Sequence, residues 1–179
     1  MVDPVARRRI MYWGLFVLIW AFVLFVRILP LDIRAGGWPG PNWTMMFAFA
    51  WVLRRPNFVP VLLVAILLFL DDLIFFRPPG LWAALSLVGL EFLRRRSRFS
   101  RELPFLFEWA MVTGVITTIM LVNRLILTIF IVPQFGLGLD SVYLLMTIAA
   151  YPLIVLISSQ ILGVRQAAPG EVDQMGHKI

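Results

Sequence analysis

The sequence predicts an all-α integral membrane protein, with six transmembrane helices in one bundle. Three observations lead there. Apolar residues make up 61% of the 179 positions, mean hydropathy is +0.90, and the apolar residues fall in long unbroken runs. Arginines gather at the ends of those runs. Turn-forming Pro and Gly separate the runs, most tightly at Pro78, Pro79 and Gly80. That turn joins two apolar runs into a hairpin between Arg54 and Arg101, with an acidic pair, Asp71 and Asp72, near the end of the first run.

Arg7, Arg8 and Arg9 precede an apolar run over residues 10–29. The run is longer than a secretory h-region, and Arg27 to Pro30 offers no small-residue cleavage site, so it reads as an uncleaved first helix. Residues 30–41 form a Pro- and Gly-rich loop. The second helix, 42–53, rises only about 18 Å at ~1.5 Å per residue, well short of a ~30 Å hydrocarbon core. It is expected to be short, tilted or partly re-entrant and shielded by its neighbours, because irregular backbone at membrane depth needs protein or water around it.

The third helix is placed at 58–76 and the fourth at 80–93. Glu91 stands one turn before Arg94 and Arg95, where i,i+3 and i,i+4 pairing is expected. Residues 94–102 read as a basic loop. The fifth helix, 104–132, carries Ala110, Gly114 and Thr118 at four-residue spacing, a small-residue stripe expected to pack closely against another helix. A loop over 133–141 leads to the sixth helix, 142–162, where Pro152 removes one backbone hydrogen bond and predicts a kink. Residues 1–163 thus form the membrane domain and 164–179 a polar, disordered tail.

Six crossings with both termini cytoplasmic place twelve basic residues on the inner side. The outer side keeps only Arg27, Arg34 and Arg77, while Arg124 lies within the fifth helix. Without the short second crossing that bias disappears. Trp13, Trp51 and Trp109 fall near inner helix ends and Trp38, Trp43 and Trp82 near outer ones, as aromatic belts require, and Trp20 sits mid-membrane.

The net charge of +6 resides at helix ends, which serves membrane orientation and argues against nucleic-acid binding. Absence of cysteine excludes disulfides, thiolate metal sites and cysteine nucleophiles. The one histidine, His177, lies in the polar tail, so neither a Ser–His pair nor an HExxH motif exists. Asp71 and Asp72 are adjacent and point ~100° apart on a helix, which is not the convergence of an acid/base dyad. Glu91, Glu102 and Glu108 lie near the inner face beside arginines and read as paired or solvated interfacial carboxylates. No catalytic residue, cofactor or metal site is expected.

Arg124 lies about 12 Å below the outer end of the fifth helix, and the two aspartates roughly 8–9 Å below the same face. A charge at helix centre costs about 2.5–3.5 kcal/mol on insertion scales, so each calls for a partner. Asp72, with Asp71 as the other candidate, is expected to pair with Arg124 as a structural ion pair. A transport site is the other use of the same three residues.

The stretches RRPNFVP (54–60), LLFLDDLIFFRPPGLWAALSLVGLEFLRRR (67–96) and PFLFEW (104–109) resemble the rod shape-determining MreD family. The resemblance is carried by Pro56, Asp72, Pro79 with Gly80, and Glu91, and the tail from Gly163 to Asp173 resembles alphaproteobacterial members. Where the family has Gly or a small residue before one Asp, this chain has the doublet Asp71 and Asp72. The resemblance implies a non-enzymatic subunit of the cell-elongation machinery in the bacterial inner membrane, a scaffold supporting peptidoglycan synthesis and cell shape. It implies MreC as direct partner, with RodA, a class B penicillin-binding transpeptidase and the MreB filament in the same complex and membrane lipid around it. It also implies a fold similar to the S-components of energy-coupling factor transporters. A small-molecule-binding transporter subunit is the alternative function that goes with such a fold.

Overall fold

The computed structural model describes residues 4–29, 40–56, 59–100, 104–134 and 136–160. Among the described residues there are six helices and no strand: α1 (Pro4–Ile28), α2 (Trp43–Arg54), α3 (Val61–Ile74), α4 (Leu81–Ser100), α5 (Phe105–Ile129) and α6 (Leu137–Gln160). Three of them, α1, α5 and α6, are long and apolar enough to cross a membrane. They turn Leu18, Phe22, Leu121, Leu125, Leu145 and Leu153 outward. A bundle clothed in leucine and phenylalanine finds its solvent in lipid. The chain is a membrane protein.

At the centre stands α2. Every residue from Thr44 to Arg54 is buried, with α4 and α6 as its main neighbours and α1 and α3 in lesser contact. Its start is set by Asn42, whose Oδ1 accepts the Met45 backbone N–H at 3.2 Å and satisfies a donor that the helix leaves open. Its end comes one residue after Arg54, where the Arg55 N–H still reaches the Trp51 carbonyl at 2.7 Å before Pro56 stops the helix. The expectation of a short second helix shielded by its neighbours matches this arrangement.

Trp51 does not belong to the inner aromatic belt. Its ring lies against Tyr12 (centroids 6.2 Å apart) and Phe16 (5.5 Å) of α1, and its Nε1 donates to Ser158 Oγ of α6 at 3.1 Å. An indole with ring and N–H both satisfied inside the bundle gains nothing from the interface. Trp82 is likewise buried.

The hairpin of α3 and α4 turns at Gly80, which has φ +84, the left-handed region that a β-carbon disfavours. Helix α4 continues to Ser100 through most of the expected basic loop, because arginine is a good helix former and neither Gly nor Pro intervenes before Pro104. Helix α6 starts at Leu137, ahead of the expected 142. The Leu139 and Asp140 N–H groups already bond the Gly136 carbonyl, and Asp140 in the first turn complements the helix dipole.

The close approach between α4 and α5 comes from Gly89. A β-carbon there would lie 2.8 Å from both Val115 and Ile119 of α5. The expected packing stripe, Ala110, Gly114 and Thr118, is instead exposed, and a β-carbon on Gly114 would meet nothing within 4 Å. The face is the other one: α5 buries Val112, Ile116 and Ile119, and the small residue that admits Val115 and Ile119 sits on the opposite helix. The loop with Arg34 and Trp38, Glu102, residues 161–163 and the 164–179 tail with His177 lie outside the described residues.

Candidate functional site

Polar and charged side chains gather at the two ends of α2. At its C-terminal end Arg54 meets Glu108 of α5, Nη1 to Oε1 at 2.8 Å and Nη2 to Oε2 at 3.4 Å. Arg54 Nη1 also donates to the Ala50 carbonyl at 3.1 Å, and the Tyr151 hydroxyl of α6 donates to Glu108 Oε1 at 2.6 Å. All three side chains are buried. Guanidinium and carboxylate meet with two donors on two acceptors, the geometry that best offsets the loss of water. Glu108 is thus paired with an arginine, one of the two expected readings, but it is buried in the core, where it joins α2, α5 and α6. Depth was the available signal: Glu108 lies one turn into α5, and Arg54 in the last turn of α2.

On the same side Arg94 of α4 gathers the connection between α2 and α3. Its Nε donates to Glu91 at 2.8 Å, which is the expected i,i+3 pair. Its Nη1 donates to the Pro56 carbonyl at 2.7 Å and its Nη2 to the Val59 carbonyl.

At the other end of α2 the Asn42 N–H donates to Thr147 Oγ1 of α6 at 3.3 Å. Asp71 Oδ1 accepts Trp20 Nε1 of α1 at 2.9 Å, and the charges of Arg27 and Arg77 bear on the same carboxylate. The Arg27 guanidinium lies 4.0 Å from the Phe75 ring centroid, and that of Arg77 5.4 Å from the Trp82 ring. Asp72 points the other way. Its Oδ2 accepts the N–H groups of Gly80 (3.2 Å) and Ala83 (3.1 Å), so this carboxylate caps the N-terminus of α4 from the neighbouring helix. Buried close by, Asp72 Oδ1 and Trp82 Nε1 have no hydrogen-bond partner among the described residues.

The predicted pair between Asp72, or Asp71, and Arg124 is not formed. Arg124 Nη1 donates to Asp140 Oδ2 of α6. Counting along a helix gives depth but not direction around the axis. Arg124 faces α6, and the early start of that helix brings Asp140 into reach. The three predicted charges therefore enter three different contacts, with Trp20, with the start of α4, and with Asp140.

All five described carboxylates, Asp71, Asp72, Glu91, Glu108 and Asp140, accept hydrogen bonds from protein donors. Among the described residues no three acidic or histidine side chains are grouped to hold a metal ion. Chemically the arrangement compensates charge inside the bundle and fixes helices relative to one another. Compared with known proteins, the chain matches no family model, no curated protein and no solved structure.

Proposed function

We propose that this chain is a non-enzymatic, multi-pass subunit of the bacterial cell-elongation machinery, an inner-membrane scaffold of MreD type that binds MreC. The support lies in where the resembling residues meet. Arg94 joins Glu91 to the Pro56 carbonyl at one end of the α3–α4 hairpin, and Asp72 receives the Gly80 N–H at the other. Residues that act as joints suit a scaffold, which needs a fixed surface more than reactive groups. In this reading six helices cross the membrane and both termini are cytoplasmic. RodA, a class B penicillin-binding transpeptidase and the MreB filament share the complex, and its output is peptidoglycan synthesis along the cell body.

Affinity purification of the tagged chain in mild detergent tests the reading. Co-elution of MreC supports it. Co-elution of a transporter ATPase without MreC replaces it with a small-molecule-binding transporter subunit. The adjoining side chains of Asp72, Trp82 and Tyr143 would then be the first to substitute.

A further inference from the structure

The outer walls of the bundle differ in height. The 14 residues of α3 rise about 21 Å, and the apolar part of α4, 81–93, about 20 Å. Both stretches end in charge, with Arg77 beside the turn and Arg94, Arg95 and Arg96 at the opposite end. Between those levels the outward face is apolar: Leu62 (73% exposed), Ile66, Phe69 and Leu73 on α3, and Val88 and Phe92 on α4. By contrast exposed apolar residues run from Phe105 to Ile129 on α5 and from Leu137 to Leu156 on α6, rises of about 37 and 30 Å. A hydrocarbon core is ~30 Å thick. A long helix adapts by tilting, whereas tilting makes a short one shorter still.

The hairpin is also held at its present length. Pro60 precedes α3, Pro78 and Pro79 follow it, Asp72 caps α4, and Arg94 fastens α4 to the Pro56 and Val59 carbonyls. Where protein cannot lengthen, lipid has to yield. We propose that the α3–α4 edge holds the bilayer in a locally thinned state, its occupant being lipid with short or disordered acyl chains. This rests on the reading in which the hairpin crosses the membrane. An ordinary membrane helix of ~20 apolar residues laid on this edge would carry apolar turns past Arg77 and the Arg94–Arg96 level, whereas acyl chains shorten by disordering.

The chain has no cysteine, so single cysteines can report without background. In phosphatidylcholine vesicles with 18-carbon chains, spin labels at Leu62→Cys, Ile66→Cys, Phe69→Cys and Leu73→Cys follow α3. Labels at Leu106→Cys, Ala110→Cys, Leu121→Cys and Leu125→Cys follow α5. Depth is read from relaxation by oxygen against a polar nickel complex. The labels on α3 are expected to pass from one interface to the other within about 20 Å, against about 30 Å along α5. Equal thickness on both helices overturns the thinning while leaving the crossing intact.

An impermeant maleimide on right-side-out and inverted native vesicles tests the crossing separately. Pro79→Cys and Arg95→Cys are expected to react from opposite faces. Reaction from one face removes the crossing and the proposal with it. Shielding of the α3 labels, but not the α5 labels, from a lipid-soluble quencher in native membranes means that a partner helix occupies the edge, which overturns lipid as its occupant.

Discussion

Arg54 and Glu108 face each other inside the bundle, Nη1 2.8 Å from Oε1, and Tyr151 closes on the same carboxylate oxygen at 2.6 Å. Removing one member of such a buried pair costs about 3–5 kcal/mol because the other charge is left uncompensated, while apolar replacement of both is often neutral. Arg54→Met and Glu108→Leu are each expected to lower the thermal midpoint in detergent sharply, and the double variant to regain most of the loss. Simple addition of the two losses in the melt of the double variant would show that the pair is not coupled.

Two glycines separate the packed face of the α4–α5 contact from the open one. Gly89→Leu forces bulk against Val115 and Ile119, and overpacking of this kind costs about 1–3 kcal/mol. Ile119 Cδ1 is an end methyl that can turn aside, but Val115 Cγ1 is held by the stiff χ1 of a helical valine, so even Gly89→Ala is expected to cost about 1 kcal/mol or more. Gly114→Leu points into open space and is expected to be neutral or stabilising by up to about 1 kcal/mol, the cost of a glycine inside a helix. Protein yield and melting midpoint of the three variants check the order.

Arg124 is expected to couple to Asp140 and not to Asp72. In double-mutant cycles Arg124→Gln with Asp140→Asn should show effects that fail to add. Arg124→Gln with Asp72→Asn should add within about 0.3–0.5 kcal/mol, as independent sites do. Asp72→Ala alone removes the acceptor at the start of α4 and is expected to cost roughly 1–2 kcal/mol, the range of a lost cap. Rescue by the swap Asp72→Arg with Arg124→Asp would contradict both statements.

Arg94 holds Glu91, Pro56 and Val59 with three separate nitrogens. A lysine carries one ammonium and cannot span those three acceptors. Arg94→Lys is expected to cost about 1.5–3 kcal/mol, the worth of one hydrogen bond to a charged group, in the melting midpoint. A wild-type midpoint would mean that the Pro56 and Val59 carbonyls find other donors.

Position along the chain was legible in the sequence, and direction around each helix was not. The six helices, the shielded α2 and the Glu91–Arg94 pair all follow from run lengths and the order of charges. The failures share one cause. In a soluble helix the apolar stripe marks the inward face, but α5 is apolar all round, with Val112 and Ile116 inside and Leu121 and Leu125 outside. Spacing alone could then put Ala110, Gly114 and Thr118 on the wrong side. The same blindness sent Arg124 to Asp72 and put Trp51 in an aromatic belt.

The enclosure of α2 bears on how the chain is built. A nascent chain delivers its segments in order, yet two of the helices that surround α2 are made long after it. Twelve residues are too few to settle across the hydrocarbon alone. The acceptors for its Asn42 N–H and Trp51 indole, Thr147 and Ser158, belong to α6, the last helix described. Until the sixth helix is made, those two donors lack the acceptors they have in the folded chain. A chain that stops short of α6 lacks both acceptors at its own centre.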